Sequence, residues 1–116
     1  MIILIYLDDE RTIISKISLI SRHVISLPDS ISYLTTLSWL TIRRSQLTAL
    51  PNSIGKLSRL VKLDVRHNQL TALPDSIGNL SSLIYLDVRN NPITSTLVGW
   101  CLLKWRFGRD ALLLCV

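Results

Sequence analysis

The chain repeats itself every 23 residues. Leu27-Pro28-Asp29-Ser30-Ile31, Leu50-Pro51-Asn52-Ser53-Ile54 and Leu73-Pro74-Asp75-Ser76-Ile77 recur at that interval, and Gln46–Asn68 matches Gln69–Asn91 at 17 of 23 positions. Segments this alike adopt one structure, and a unit so short cannot bury an apolar face alone, so successive units have to stack. That requirement removes most compact folds from consideration. With 116 residues in all, the chain has room for one domain, which argues against a two-domain enzyme with an interdomain cleft.

Within one unit the aliphatic residues sit at fixed offsets: Leu57, Leu60, Leu63, Val65, Leu70, Leu73 and Ile77, followed in the next by Leu80, Leu83, Leu86, Val88 and Ile93. Spacing of three suits a turn or short helix, whereas Leu63-Asp64-Val65 and Leu86-Asp87-Val88 alternate as a strand does. Each unit therefore holds one short strand and a return path, and stacking lays the strands side by side in parallel. The expected class is an α/β solenoid, a short horseshoe with parallel strands on its concave face and short helical or irregular segments on its convex face. An eroded earlier unit covers Arg11–Tyr33, with Ile14, Ile17, Leu19, Val24, Leu27 and Ile31 in register. After Ile93 the register fails, since Thr96 stands where a leucine belongs and Arg106 and Arg109 fall on core positions. Three regions result: an N-terminal apolar cap segment over 1–10, a repeat domain over 11–96 with about four turns, and an apolar cap or truncated tail over 97–116.

Composition narrows the function. The net charge is +5, but residues 97–116 hold three basic residues against one acid, which leaves the rest mildly basic, and no nucleic-acid partner is expected. Cys101 and Cys115 both lie in the tail, where they cannot close the ends of the coil as a secreted repeat protein would need, so a cytoplasmic location is expected. The apolar start Met1–Leu7 has no basic leader and runs into Asp8-Asp9-Glu10, which does not suit a signal peptide. Lys104, Arg106, Arg109 and Asp110 interrupt the tail and make a transmembrane segment costly. His23, His67 and the two cysteines show no metal-ligand spacing, there is no nucleophile elbow, and Gly55, Gly78, Gly99 and Gly108 are isolated rather than forming a phosphate loop. No metal, no cofactor and no enzymatic activity are expected.

The residues Leu57-x-x-Leu60-x-x-Leu63-x-Val65-x-x-Asn68-x-Leu70 resemble the signature of leucine-rich repeats. In that family the asparagine amide bonds backbone groups of the adjacent loop, a role that Asn68 and Asn91 match. Ser45 and Arg22 hold the equivalent places in the earlier turns, where a serine bonds in part and an arginine has to swing outward. The form Leu-Pro-x-Ser-Ile-Gly-x-Leu followed by Leu-Asp-Val-Arg-x-Asn is similar to the Ras-binding leucine-rich-repeat scaffold proteins and their plant and intracellular relatives, over roughly residues 27–95. The resemblance implies binding without catalysis: a scaffold or regulator in signal transduction that holds a small GTPase, a phosphatase or a kinase-pathway component. Longer members of that family carry many more turns, and this chain looks like a short or fragmentary version.

Stacked strands turn outward-pointing residues into columns. One column reads Trp39, Lys62, Tyr85; the next Thr41, Asp64, Asp87; the third Arg43, Arg66, Arg89; the fourth Arg44, His67, Asn90. Like charges about 4.8 Å apart repel, and Asp64 and Asp87 are placed to offset the arginines. The face is then either a solvated charge network or, because Trp, Tyr and Arg lead among binding hot spots, a surface for a protein partner with acidic character. On the second reading, reversing Arg66 and Arg89 should abolish binding with little change in melting. Four strands of five residues cover on the order of 300 Å², against about 800 Å² per partner in a standard interface, so this face alone should bind weakly. A non-specific binder of anionic nucleic acid or membrane surfaces and a structural fragment of a longer array are the alternatives.

Overall fold

A computed structural model of the protein describes residues 4–8, 13–21, 23–93 and 112–114. Strands β1 (Leu4–Asp8), β2 (Ile13–Ile20), β3 (Trp39–Arg43), β4 (Lys62–Asp64), β5 (Tyr85–Asp87) and β6 (Leu112–Leu114) form one six-stranded sheet in sequence order. From β2 to β6 every pairing is parallel. The register aligns Ile17, Leu40, Leu63 and Leu86, so the 23-residue period of the sequence becomes the step between neighbouring strands.

The return path of each turn is a 3-10 segment, at Asp29–Tyr33, Asn52–Lys56 and Asp75–Asn79. Each begins after a proline: Pro28, Pro51 and Pro74 hold φ near −70° (−72, −69 and −68), and their carbonyls accept from the amides of Ile31, Ile54 and Ile77. Proline suits this place because its ring fixes the required φ and the missing N–H has no partner to lose there. Successive 3-10 segments pack on one another, forming a second row opposite the sheet.

Leucine fills the space between the two rows. Leu37, Leu40, Ile42, Leu47, Ile54, Leu57, Leu60, Leu63, Leu70, Leu80 and Leu86 are fully buried, while Leu27, Leu34, Leu73 and Ile93 pack against this core from its margin. Burial at that completeness gives about 1.5–3 kcal/mol per side chain before chain entropy is set against it.

Where each strand leaves the sheet, the backbone turns through the left-handed region at Ser21, Arg44, His67 and Asn90, with φ of 55°, 52°, 56° and 59°. Residues other than glycine visit that region at a cost of about 1–2 kcal/mol. The same bend at four positions 23 apart shows that the eroded first turn follows the path of the regular ones.

Asn68 and Asn91 hold the inside of the bend. The Asn68 amide nitrogen donates to the carbonyls of Ile42, Val65 and Arg66 at 2.7, 2.9 and 3.2 Å, and its oxygen accepts from the amide of Leu47 at 3.2 Å. Asn91 repeats the pattern one turn on, with Val65, Val88 and Arg89 as acceptors and Leu70 as donor. Ser45 manages one long bond, to the Arg43 carbonyl at 3.4 Å. Arg22 lies outside the described residues.

The structure departs from the sequence reading in two places. The segment expected to cap the N-terminus includes β1, which pairs antiparallel with β2, so the sheet is not parallel throughout. The sheet also runs past the point where the leucine register fails, because β6 pairs with β5 and sets Leu113 beside Leu86, 27 positions away. That return is four residues longer than the others, and a fixed 23-residue step lands on Arg109 instead. Gly55 lies where adjacent turns approach closely, since a Cβ there would lie 2.5 Å from the Ser76 carbonyl oxygen. Trp100, Cys101, Trp105, Phe107 and Cys115 lie outside the described residues.

Candidate protein-interaction face

Three strands place the candidate residues, and their pairing aligns Trp39 with Lys62 and Tyr85, and Thr41 with Asp64 and Asp87. The first turn extends both columns, since Lys16 pairs with Trp39 and Ser18 with Thr41. Lys16 was missed in the sequence although it stands one period before Trp39.

The first column alternates cation and ring. The Lys16 ammonium sits 4.2 Å from the centre of the Trp39 ring, while Lys62 lies 5.0 Å from the same ring and 4.9 Å from that of Tyr85. A cation within about 6 Å of an aromatic face is drawn to its negative centre. Trp39 nevertheless keeps 42% of its surface exposed, more than Tyr85 in the same column, which is half-buried.

The aspartates behave differently from expectation. Alternation puts them on the outward face, yet Asp64 and Asp87 are 2% and 0% exposed because the arginines fold over them. Arg66 forks onto Asp64, Nε to Oδ1 and Nη2 to Oδ2, both at 3.0 Å. Arg89 does the same to Asp87 at 3.0 and 2.8 Å. Backbone amides of the same arginines add a third bond each, and Arg66 Nε also reaches Asp87 Oδ2 at 3.1 Å. The Tyr85 hydroxyl donates to Asp87 at 3.2 Å.

These contacts shift the titration of the groups involved. Burial alone pushes the Asp87 carboxyl up, but the Arg89 side chain and backbone, with Arg66 beside them, hold it below its ordinary value. Burial, with the Asp87 charge, pushes the Tyr85 phenol up. The hydrogen bond to Asp64 raises Arg66, and that to Asp87 raises Arg89.

Two expectations are corrected here. Asp64 and Asp87 are not available as contact residues; they are the covered anchors of the arginine row. Reversing Arg66 and Arg89 is not a mild change either, since an uncompensated buried carboxylate costs about 3–5 kcal/mol. The arginines present only part of their side chains, 34% for Arg43, 25% for Arg66 and 38% for Arg89. Arg44, His67 and Asn90 are exposed at the strand ends, where Asn90 Nδ2 lies 3.3 Å from His67 Nε2.

A groove of about 310 Å³ opens over β2, β3 and β4, between Lys16, Trp39, Arg43 and Lys62. Among the described residues no group of three His, Cys, Asp or Glu could hold a metal ion. No helix among them is long and apolar enough to cross a membrane.

Parallel strands, a stacked leucine interior and an asparagine inside each of the two later bends define a repeat solenoid. Residues 16–98 match the family model of the leucine-rich repeat region, and the chain belongs to that family. The fold is similar to that of a leucine-rich-repeat protein of Leptospira interrogans, at 32% identity and a TM-score of 0.73. The alignment covers 80% of this chain and 23% of that one, so the chain spans less than a quarter of that protein's length. The comparison with curated proteins found no match. Repeats of this family are typically non-enzymatic and bind protein partners.

Proposed function

We propose that the chain is a cytoplasmic scaffold that docks an acidic protein surface on its concave face, with a small GTPase or kinase-pathway protein as the partner implied by the Ras-linked resemblance. One observation carries this reading: Lys16, Trp39, Lys62 and Tyr85 stand in a single ordered column beside a row of arginines. Because the lysines already rest on the rings, little side-chain freedom is lost on docking.

The test is affinity capture from extract of the cells that make the protein, using wild type, Trp39→Ala with Lys62→Glu, and Tyr33→Ala. Tyr33 is 82% exposed at the end of a 3-10 segment and serves as the control on the opposite row. Loss of the captured protein in the double variant alone supports the reading, and loss in neither or in both removes it.

A further inference from the structure

The arginine row is unevenly balanced. Arg66 and Arg89 each stand two residues beyond the aspartate that ends a strand, Asp64 and Asp87, and each grips it with a bidentate fork. Arg43 has Thr41 there, and the turn before it has Ser18. The acid that faces Arg43 is therefore Asp64, whose two oxygens already accept from Arg66. Arg43 Nε stands 3.8 Å from Asp64 Oδ2, beyond hydrogen-bond reach, and this buried nitrogen has no hydrogen-bond partner among the described residues.

The groove opens at this break in the pattern. Arg43, Lys16 and Lys62 line it with Trp39 between the lysines, and Asp64, its one acidic side chain, is covered and occupied. Arg43 keeps 34% of its side chain exposed and has no forked acid of its own, so it offers, beside Lys16, Lys62 and Arg66, a guanidinium that the fork of a carboxylate matches. We propose that this groove is a subsite for an acidic side chain, Asp or Glu, of a bound protein: the partner supplies to Arg43 the carboxylate that Asp64 and Asp87 supply to Arg66 and Arg89. The proposal rests on the concave face being the docking face, and it locates the discriminating contact at the irregular end of the arginine row.

The probe is capped hexaglutamate, titrated into the isotope-labelled full chain while the Trp39 indole and Arg43 Nε–H signals are followed by NMR. Hexaglutamate should move both signals and hexaglutamine neither. Arg43→Gln should weaken binding at least tenfold, and Arg59→Gln, which removes an exposed arginine outside the strands, should change it less than twofold. Thr41→Asp should provide the acid within the strand, also weakening binding at least tenfold while leaving the melting temperature unlowered. Equal losses for Arg43→Gln and Arg59→Gln, or undiminished binding by Thr41→Asp, would overturn the proposal in favour of diffuse charge attraction. Hexathymidylate binding with the same dependence on Arg43 and at least equal affinity would replace it with a nucleic-acid site. If hexaglutamate behaves as expected while capture is indifferent to the concave-face variant, the docking reading falls and the subsite stands. The reverse pattern removes the subsite alone.

Discussion

The two later turns and the two earlier ones follow the same backbone path with different polar chemistry. Residues 46–91 carry asparagine at each bend and an Asp-x-Arg pair at each strand end, whereas Ser45, Thr41 and Ser18 replace those groups earlier in the chain. Ser21 and Arg44 still bend through positive φ as His67 and Asn90 do, and Leu37 and Leu40 are as fully buried as Leu60 and Leu63. The path is therefore dictated by leucine burial and strand pairing, and the polar networks are additions to it. Where they are thin, the sheet face keeps a cation with no hydrogen-bonded acid. Erosion of the repeat and the groove coincide.

This contrast can be broken most severely in the shared part. Leu63→Ala should destabilise the fold by about 2–5 kcal/mol, measured by urea denaturation, because it empties a fully enclosed position between two turns. The same loss from Leu40→Ala is expected if leucine burial governs both halves alike.

Next comes the asparagine. Asn68→Ala strands the Leu47 amide and removes the bonds to the carbonyls of Ile42, Val65 and Arg66, of which Val65 keeps the Asn91 amide and Arg66 the Arg44 amide, for a cost of about 3 kcal/mol. Ser45→Ala gives up one 3.4 Å bond and should cost below about 0.5 kcal/mol. Comparable losses at the two sites would mean that the earlier turns depend on polar bonding as much as the later ones.

Smaller again is Gly55. Gly55→Ala drives a methyl group into the Ser76 backbone, which cannot move aside cheaply, and should cost about 1–3 kcal/mol in the same denaturation series.

The smallest effect lies in acid. Asp87 titrates below its ordinary value of 3.8 in the folded chain, so the unfolded chain binds the proton first. Its contribution is complete above that value and disappears as pH falls through the lower, folded one. Urea midpoints taken from pH 7 down to pH 3 should show wild type losing its advantage over Asp87→Asn only below about pH 4. A constant difference across the series would contradict the arginine fork as its source.

Much of this was legible in the sequence. The 23-residue step gave the strand register, and the columns through Trp39, Thr41 and their successors align as the alternation requires. What escaped were features that depend on side-chain reach rather than on period. Alternation alone points Asp64 outward, and only the recurring Asp-x-Arg spacing hints that a long guanidinium can fold back to cover it. The strand at Leu112–Leu114 escaped because its return is longer than the repeat, and the antiparallel β1 because it lies before the periodic region. Lys16 was within reach of the same arithmetic that found Trp39.

The claim that the sheet face is the working surface can be tested by placing the photo-crosslinker p-benzoylphenylalanine at Tyr85 in one sample and at Tyr33 in another, then irradiating each in extract. Both exchanges are aromatic for aromatic, one within the lysine and tryptophan column and the other on the opposite row. Adducts to a defined protein from position 85, suppressed by Lys62→Glu and missing from position 33, are the predicted result. Adducts from position 33 with none from position 85 would contradict it.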